Sequence, residues 1–166
     1  MGSHPDEQAE LERALGFAYR AIGRREHTVA QIRELLGGRG IDKTIIQAAV
    51  EELRESGLLD DGRFARRFAG DKRDLEQWGS RRIATELDRR GIGAQEIEAV
   101  VGARGRRDEL DSALLLLERR LPRGPWDDRE RDRAWRLLVR RGYEPELAYE
   151  AVREHARGPG EGPSAA

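Results

Sequence analysis

Apolar residues recur every three or four positions along most of this chain, the spacing of helices with one buried face. Ala14, Phe17, Ala18 and Ile22 line the first such face. Ile32, Leu35 and Leu36 line a second, opened by Thr28-Val-Ala-Gln31, which has the form of a capping box. Ile45, Ile46, Ala49, Val50 and Leu53 line a third; Asp42 is placed to cap it and Gly57 to stop it. The same plan predicts helices near 61–75, 79–90 and 94–103. A further set follows near 106–121, 128–141 and 145–156, with a break at Pro122-Arg-Gly-Pro125.

The pattern is an internal repeat. Leu36-Gly37-Gly38-Arg39-Gly40-Ile41 aligns with Leu87-Asp88-Arg89-Arg90-Gly91-Ile92, and both align with Leu138-Val139-Arg140-Arg141-Gly142-Tyr143, at a step of 51 residues each time. Val50, Val101 and Val152 keep this register, Ile32 matches Ile83, and Ala14-x-x-Phe17-Ala18 matches Ala65-x-x-Phe68-Ala69. Three copies in register predict a repeat architecture. The Arg-Gly-apolar step has a mechanical reading: Arg suits the negative end of a helix, Gly supplies a positive φ, and the apolar residue folds back onto the bundle. The expected fold is all-α, three tandem three-helix repeats in an elongated, curved array. The repeats are placed at 9–59, 60–105 and 106–157, between ends at 1–8 and 158–166 expected to be disordered. Met1-Gly2-Ser3-His4 reads as an appended tag.

Composition narrows the function. Of 166 residues, 38% are charged and 37% hydrophobic, and the net charge is −1. A globally basic nucleic-acid binder is not indicated. Cysteine is absent, which excludes disulfides, thiolate metal sites and a cysteine nucleophile. With three histidines, one of them in the tag, no metal site is expected. Phosphate-loop, Gly-x-Ser-x-Gly and His-Glu-x-x-His motifs are missing. The expectation is a monomeric binding or regulatory protein, not an enzyme, without cofactor or membrane span, and cytoplasmic.

Several segments then resemble the RecX family of regulatory proteins. Arg24-Arg25-Glu26-His27-Thr28-Val29-Ala30-Gln31-Ile32-Arg33-Glu34-Leu35-Leu36 is similar to that family's first-repeat signature. Gly57-Leu58-Leu59-Asp60-Asp61-Gly62-Arg63-Phe64-Ala65 and Gly79-Ser80-Arg81-Arg82-Ile83-Ala84-Thr85-Glu86-Leu87 resemble its second, and Leu138–Tyr143 its closing repeat. The resemblance implies a modulator that binds the groove of the RecA filament on single-stranded DNA. It would block filament growth and lower ATP hydrolysis, strand exchange and co-protease activity. Two departures from the family pattern are Gly37-Gly38, where longer residues are usual, and Trp78, at a position often basic.

Charge is uneven along the chain. Residues 61–91 hold nine basic and six acidic groups, whereas residues 6–60 hold eight and eleven. The candidate contact residues for RecA, or for single- or double-stranded DNA, are therefore Arg66, Arg67, Arg81, Arg82, Arg89 and Arg90, with Arg140 and Arg141 from the third copy. Arg82 and Arg89 are seven apart, on one helical stripe. The guanidinium fork suits phosphate and carboxylate alike. Phe17, Tyr19, Phe64, Phe68 and Trp135 are expected in the core. Trp78 and Trp126 precede helices, where partial exposure would let them anchor a partner. His155 lies near a helix C-terminus, where its charge would suit the dipole. Two other readings stay open: a stand-alone helical DNA-binding module and a structural adaptor with a concave face.

Overall fold

In the computed structural model, which describes residues 5–157, the described residues form nine helices and no strand. They are α1 (Pro5–Ile22), α2 (Val29–Gly37), α3 (Lys43–Glu55), α4 (Asp61–Glu76), α5 (Ser80–Arg89), α6 (Ala94–Gly102), α7 (Arg106–Arg120), α8 (Asp128–Arg141) and α9 (Pro145–Ala156). The all-α class and the run of helices follow the periodicity. Expected disorder through residue 8 meets a helix instead: α1 starts at Pro5, with Asp6 and Glu7 in its first turn, where the helix dipole favours acids. Residues 158–166 lie outside the described residues.

The helix ends form where the local sequence specifies them. Thr28 Oγ1 accepts from the Gln31 N–H while Gln31 Oε1 accepts from the Thr28 N–H, a complete capping box. Asp42 accepts from the Thr44 N–H at the start of α3. At the repeated Arg-Gly step the Ile41, Ile92 and Tyr143 N–H groups donate back to the carbonyls of Leu36, Leu87 and Leu138. Gly40, Gly91 and Gly142 have φ of +73°, +74° and +91°. This is the Schellman arrangement, and it needs a left-handed residue that only glycine adopts without strain.

The chain divides into two compact units. Among the described residues, the first runs through Arg67 and takes up Leu87–Ile97; the second comprises Phe68–Glu86 and residues 98–157. In the first unit α3 packs on α1 and α2. Its core gathers Ala14, Ala18, Ile32, Leu36, Ala49, Val50 and Leu53, none of them reached by solvent. Each large aliphatic buried there stabilises by about 1.5–3 kcal/mol. In the second unit α9 packs on α7 and α8, around Leu116, Leu117, Leu138, Tyr143 and Ala151.

The aromatic expectations need correction. Trp78 and Trp126 are buried, each 7% exposed, so neither offers a free anchor. Trp78 is covered because cations close over it: the Arg82 guanidinium is 3.9 Å and Lys72 Nζ 4.8 Å from its ring centre, with Phe68 edge-on at 6.2 Å. Trp126 donates its indole N–H to the Pro122 carbonyl (3.1 Å) and packs on the His155 ring. Trp135 is only half-buried, and Tyr19, expected in the core, is exposed. Tyr19 follows Ala18, which holds the buried face, so it points off that face of α1. His155 is buried rather than at a wet helix end, and burial pushes its pKa below the usual value of 6.5. It is therefore a neutral core residue, not a dipole cation.

Candidate functional site

The eight candidate arginines fall into two groups. In the first unit, Arg66, Arg67 and Arg89 are exposed and Arg90 is half-buried. The segment before α2 reaches both ends of this group. Glu26 carboxylate oxygens lie 3.7 Å from Arg63 Nε and 3.6 Å from Arg67 Nη1, long contacts at an open surface that contribute little. Two residues on, the Thr28 hydroxyl donates to the Arg90 carbonyl at 2.7 Å. Asp61 completes this corner by accepting from the Val29 N–H at 2.9 Å, and its partial burial raises its carboxyl pKa. A side chain added at Gly91 would collide with the Ala30 methyl at 2.3 Å. The start of α2 is therefore seated directly on the end of α5.

The second unit brings Arg81, Arg82, Arg140 and Arg141 together by the same kind of seating. The Gly79 N–H donates to the Arg141 carbonyl (2.8 Å) and the Arg81 N–H to the Gly142 carbonyl (3.0 Å). Two unsatisfied donors at the start of α5 thus meet two unsatisfied acceptors at the end of α8, which also aligns the positive end of one helix with the negative end of the other. Arg141 reaches across to donate to the Glu76 carbonyl at 2.7 Å. The Tyr143 hydroxyl donates to the Gln77 carbonyl at 2.9 Å, and burial pushes its pKa up to about 12. Glu109, buried, accepts from the Ser80 N–H (2.7 Å) and the Ser80 hydroxyl (2.9 Å).

These contacts sort the arginines by what their side chains do. Arg82 and Arg141 are half-buried and spent on the fold, one over Trp78 and the other on Glu76. Arg81 and Arg140 hold their guanidinium groups at the surface; Arg81 pairs with Glu144 at 3.2 Å, where both side chains are more than half exposed. Arg140 lends the fold its carbonyl, at 3.5 Å from Arg82 Nη1. No group of acidic residues or histidines able to hold a metal occurs among the described residues.

Sequence comparison identifies the family. A model of the second three-helix domain of RecX matches residues 60–101. The regulatory protein RecX of Halorhodospira halophila is 38% identical over 136 residues, covering 81% of this chain and 83% of its own. That of Deinococcus radiodurans is 33% identical over 149 residues, covering 90% of this chain and 71% of its own. The chain belongs to the RecX family.

RecX structures share its fold. RecX from Lactobacillus salivarius superposes with a TM-score of 0.78 at 14% identity, over 89% of this chain and 97% of that one. A second RecX crystal structure gives 0.73 at 17% identity, over 90% and 74%. Within this RecX fold, sequence reasoning missed Glu109 as the residue that caps α5, because a lone acid in a charged helix gives no sign of a contact 29 residues away. It also missed the groove beside Trp135 and Tyr149, although Tyr149, Arg153 and Arg157 at spacings of four mark a stripe. No helix of the described residues is long and apolar enough to cross a membrane.

Proposed function

We propose that this RecX-family protein binds in the groove of a RecA filament on single-stranded DNA. By occupying the groove it stops filament extension and so lowers ATP hydrolysis, strand exchange and co-protease activity. It acts by occupancy, with no chemistry and no cofactor of its own. Family membership carries this reading, and the exposed guanidinium groups of Arg66, Arg67, Arg81, Arg89 and Arg140 support it. The repeats at 9–59, 60–105 and 106–157 would be the units that follow the groove. Arg82, Arg90 and Arg141 would contribute through the surface they position.

The test is ATP hydrolysis by RecA from the same organism on single-stranded DNA, with this protein added well below one copy per RecA. Strong inhibition at such ratios is expected of a protein that blocks filament growth. Unchanged hydrolysis over the same range would remove the reading. Inhibition only when the protein coats the DNA would favour a stand-alone DNA-binding module.

A further inference from the structure

The third repeat carries a second surface of distinct chemistry. Helices α8 and α9 and the turn at 124–125 enclose an open groove of about 690 Å³. Trp135 and Tyr149 give it two aromatic rings, and Arg131, Arg153 and Arg157 give it three cations against Asp132. Tyr149 is 65% exposed, so its ring face is open to a ligand in the groove. Trp135 has already donated its indole N–H to the Pro145 carbonyl at 3.1 Å, so the ring surface is what it has left to offer. Asp132 is held by Arg136 at 3.0 Å, which offsets the groove's one acid. Arg131 is engaged only loosely, 3.7 Å from an exposed Asp128.

Tyr149, Arg153 and Arg157 follow one another along α9 and its cap, about 6 Å apart per step on a helix. A flat exposed ring followed by evenly spaced guanidinium groups is the combination that holds an unpaired base and the phosphates next to it. A duplex would keep its bases away from the ring. An acidic peptide would satisfy the arginines and leave both rings without a planar partner.

We propose that this groove binds single-stranded nucleic acid. A base stacks on Tyr149 beside Trp135, and the flanking phosphates pair with Arg153, Arg157 and Arg131. The site requires no RecA and is independent of the filament reading.

The experiment uses the full chain and a labelled oligothymidylate, with no RecA present. Fluorescence anisotropy gives affinity, and intrinsic fluorescence reports Trp135, because Trp78 and Trp126 are shielded from a ligand. The parent should bind with quenching. Tyr149→Ala should weaken binding about tenfold, the size of one lost base stack, and Tyr149→Phe should restore it. Arg153→Ala with Arg157→Ala should lower the slope of log affinity against log salt by about 1.4, which corresponds to two phosphates on a single strand. An arginine that merely complements the end of α9 would cost stability and leave binding intact. Unaltered binding by Tyr149→Ala, no binding by the parent at low salt, or equal competition from polyglutamate would each overturn the proposal.

Discussion

The seat of α2 on α5 and the seat of α5 on α8 occupy equivalent repeat positions, yet they are built differently. In the first, a side chain does the joining: the Thr28 hydroxyl bonds the Arg90 carbonyl, and the Ala30 methyl presses on Gly91. In the second, Gly79 stands where Thr28 stands one repeat earlier, and backbone bonds backbone. Removing the side chain brings the chains so close that a Cβ on Gly79 would lie 2.4 Å from the Gly142 carbonyl carbon. The remaining Arg-Gly step, at Gly40 in the first repeat, keeps the left-handed turn, but a Cβ there would have no neighbouring atom within 4 Å. The turn is thus an intrinsic property of each repeat. Seating is a second property, added by whichever residue begins the neighbouring helix.

The largest expected effect comes from the tighter seat. Gly79→Ala should cost about 3 kcal/mol in urea unfolding, because its methyl meets backbone, and backbone cannot rotate away. Gly91→Ala should also destabilise, but its clash is with a methyl group. Adding Ala30→Gly should relieve the clash and leave the backbone strain of about 1–2 kcal/mol, plus roughly 0.5–1 kcal/mol for a glycine within α2. No side-chain deletion should rescue Gly79→Ala in that way.

Single hydroxyls offer a finer comparison. Thr28→Val removes both the cap of α2 and the bond to Arg90, and should cost about 1–2 kcal/mol. Tyr143→Phe removes one bond to the Gln77 carbonyl and should cost about 1 kcal/mol. Thermal unfolding of the two variants side by side gives the order.

A smaller effect distinguishes the second unit by pH. His155 has a folded pKa below 6.5, chiefly through burial; the Leu121 carbonyl, 3.4 Å from its Nε2, opposes the shift. Between the two values the unfolded chain binds more protons, so the stability His155 contributes is intact above pH 6.5 and declines as pH falls toward the folded value. His155→Phe should flatten that part of the profile of unfolding free energy between pH 7.5 and 5.5. A profile identical to the parent's would show that other groups set it.

Most of the fold was legible because helix ends are local. Thr28-Val-Ala-Gln31, Asp42 and the Arg-Gly steps state their own geometry within four or five residues, and each forms as its spacing predicts. The contacts of Glu109 with Ser80 and of Arg141 with Glu76 span 29 and 65 residues, and no periodicity encodes them. The candidate arginines were legible as a class and not by role. Arg140 and Arg141 are adjacent and chemically identical, yet one side chain faces water and the other is bonded to the fold. Trp78 was misread for a different reason: Lys72 and Arg82 are only six and four residues away, but they lie in separate helices, α4 and α5, and the path of the turn between those helices decides whether they meet its ring.

The central claim is that surface arginines make the contact while Arg82 and Arg141 hold the fold. The direct measurement is RecA ATP hydrolysis inhibited by the double variant Arg81→Glu with Arg140→Glu, with circular dichroism and thermal unfolding as controls. A native spectrum, little change in thermal midpoint, and inhibition weakened about tenfold or more are predicted, since reversing charges at a contact replaces attraction by repulsion. A folded double variant that inhibits as well as the parent at every salt concentration would contradict the account.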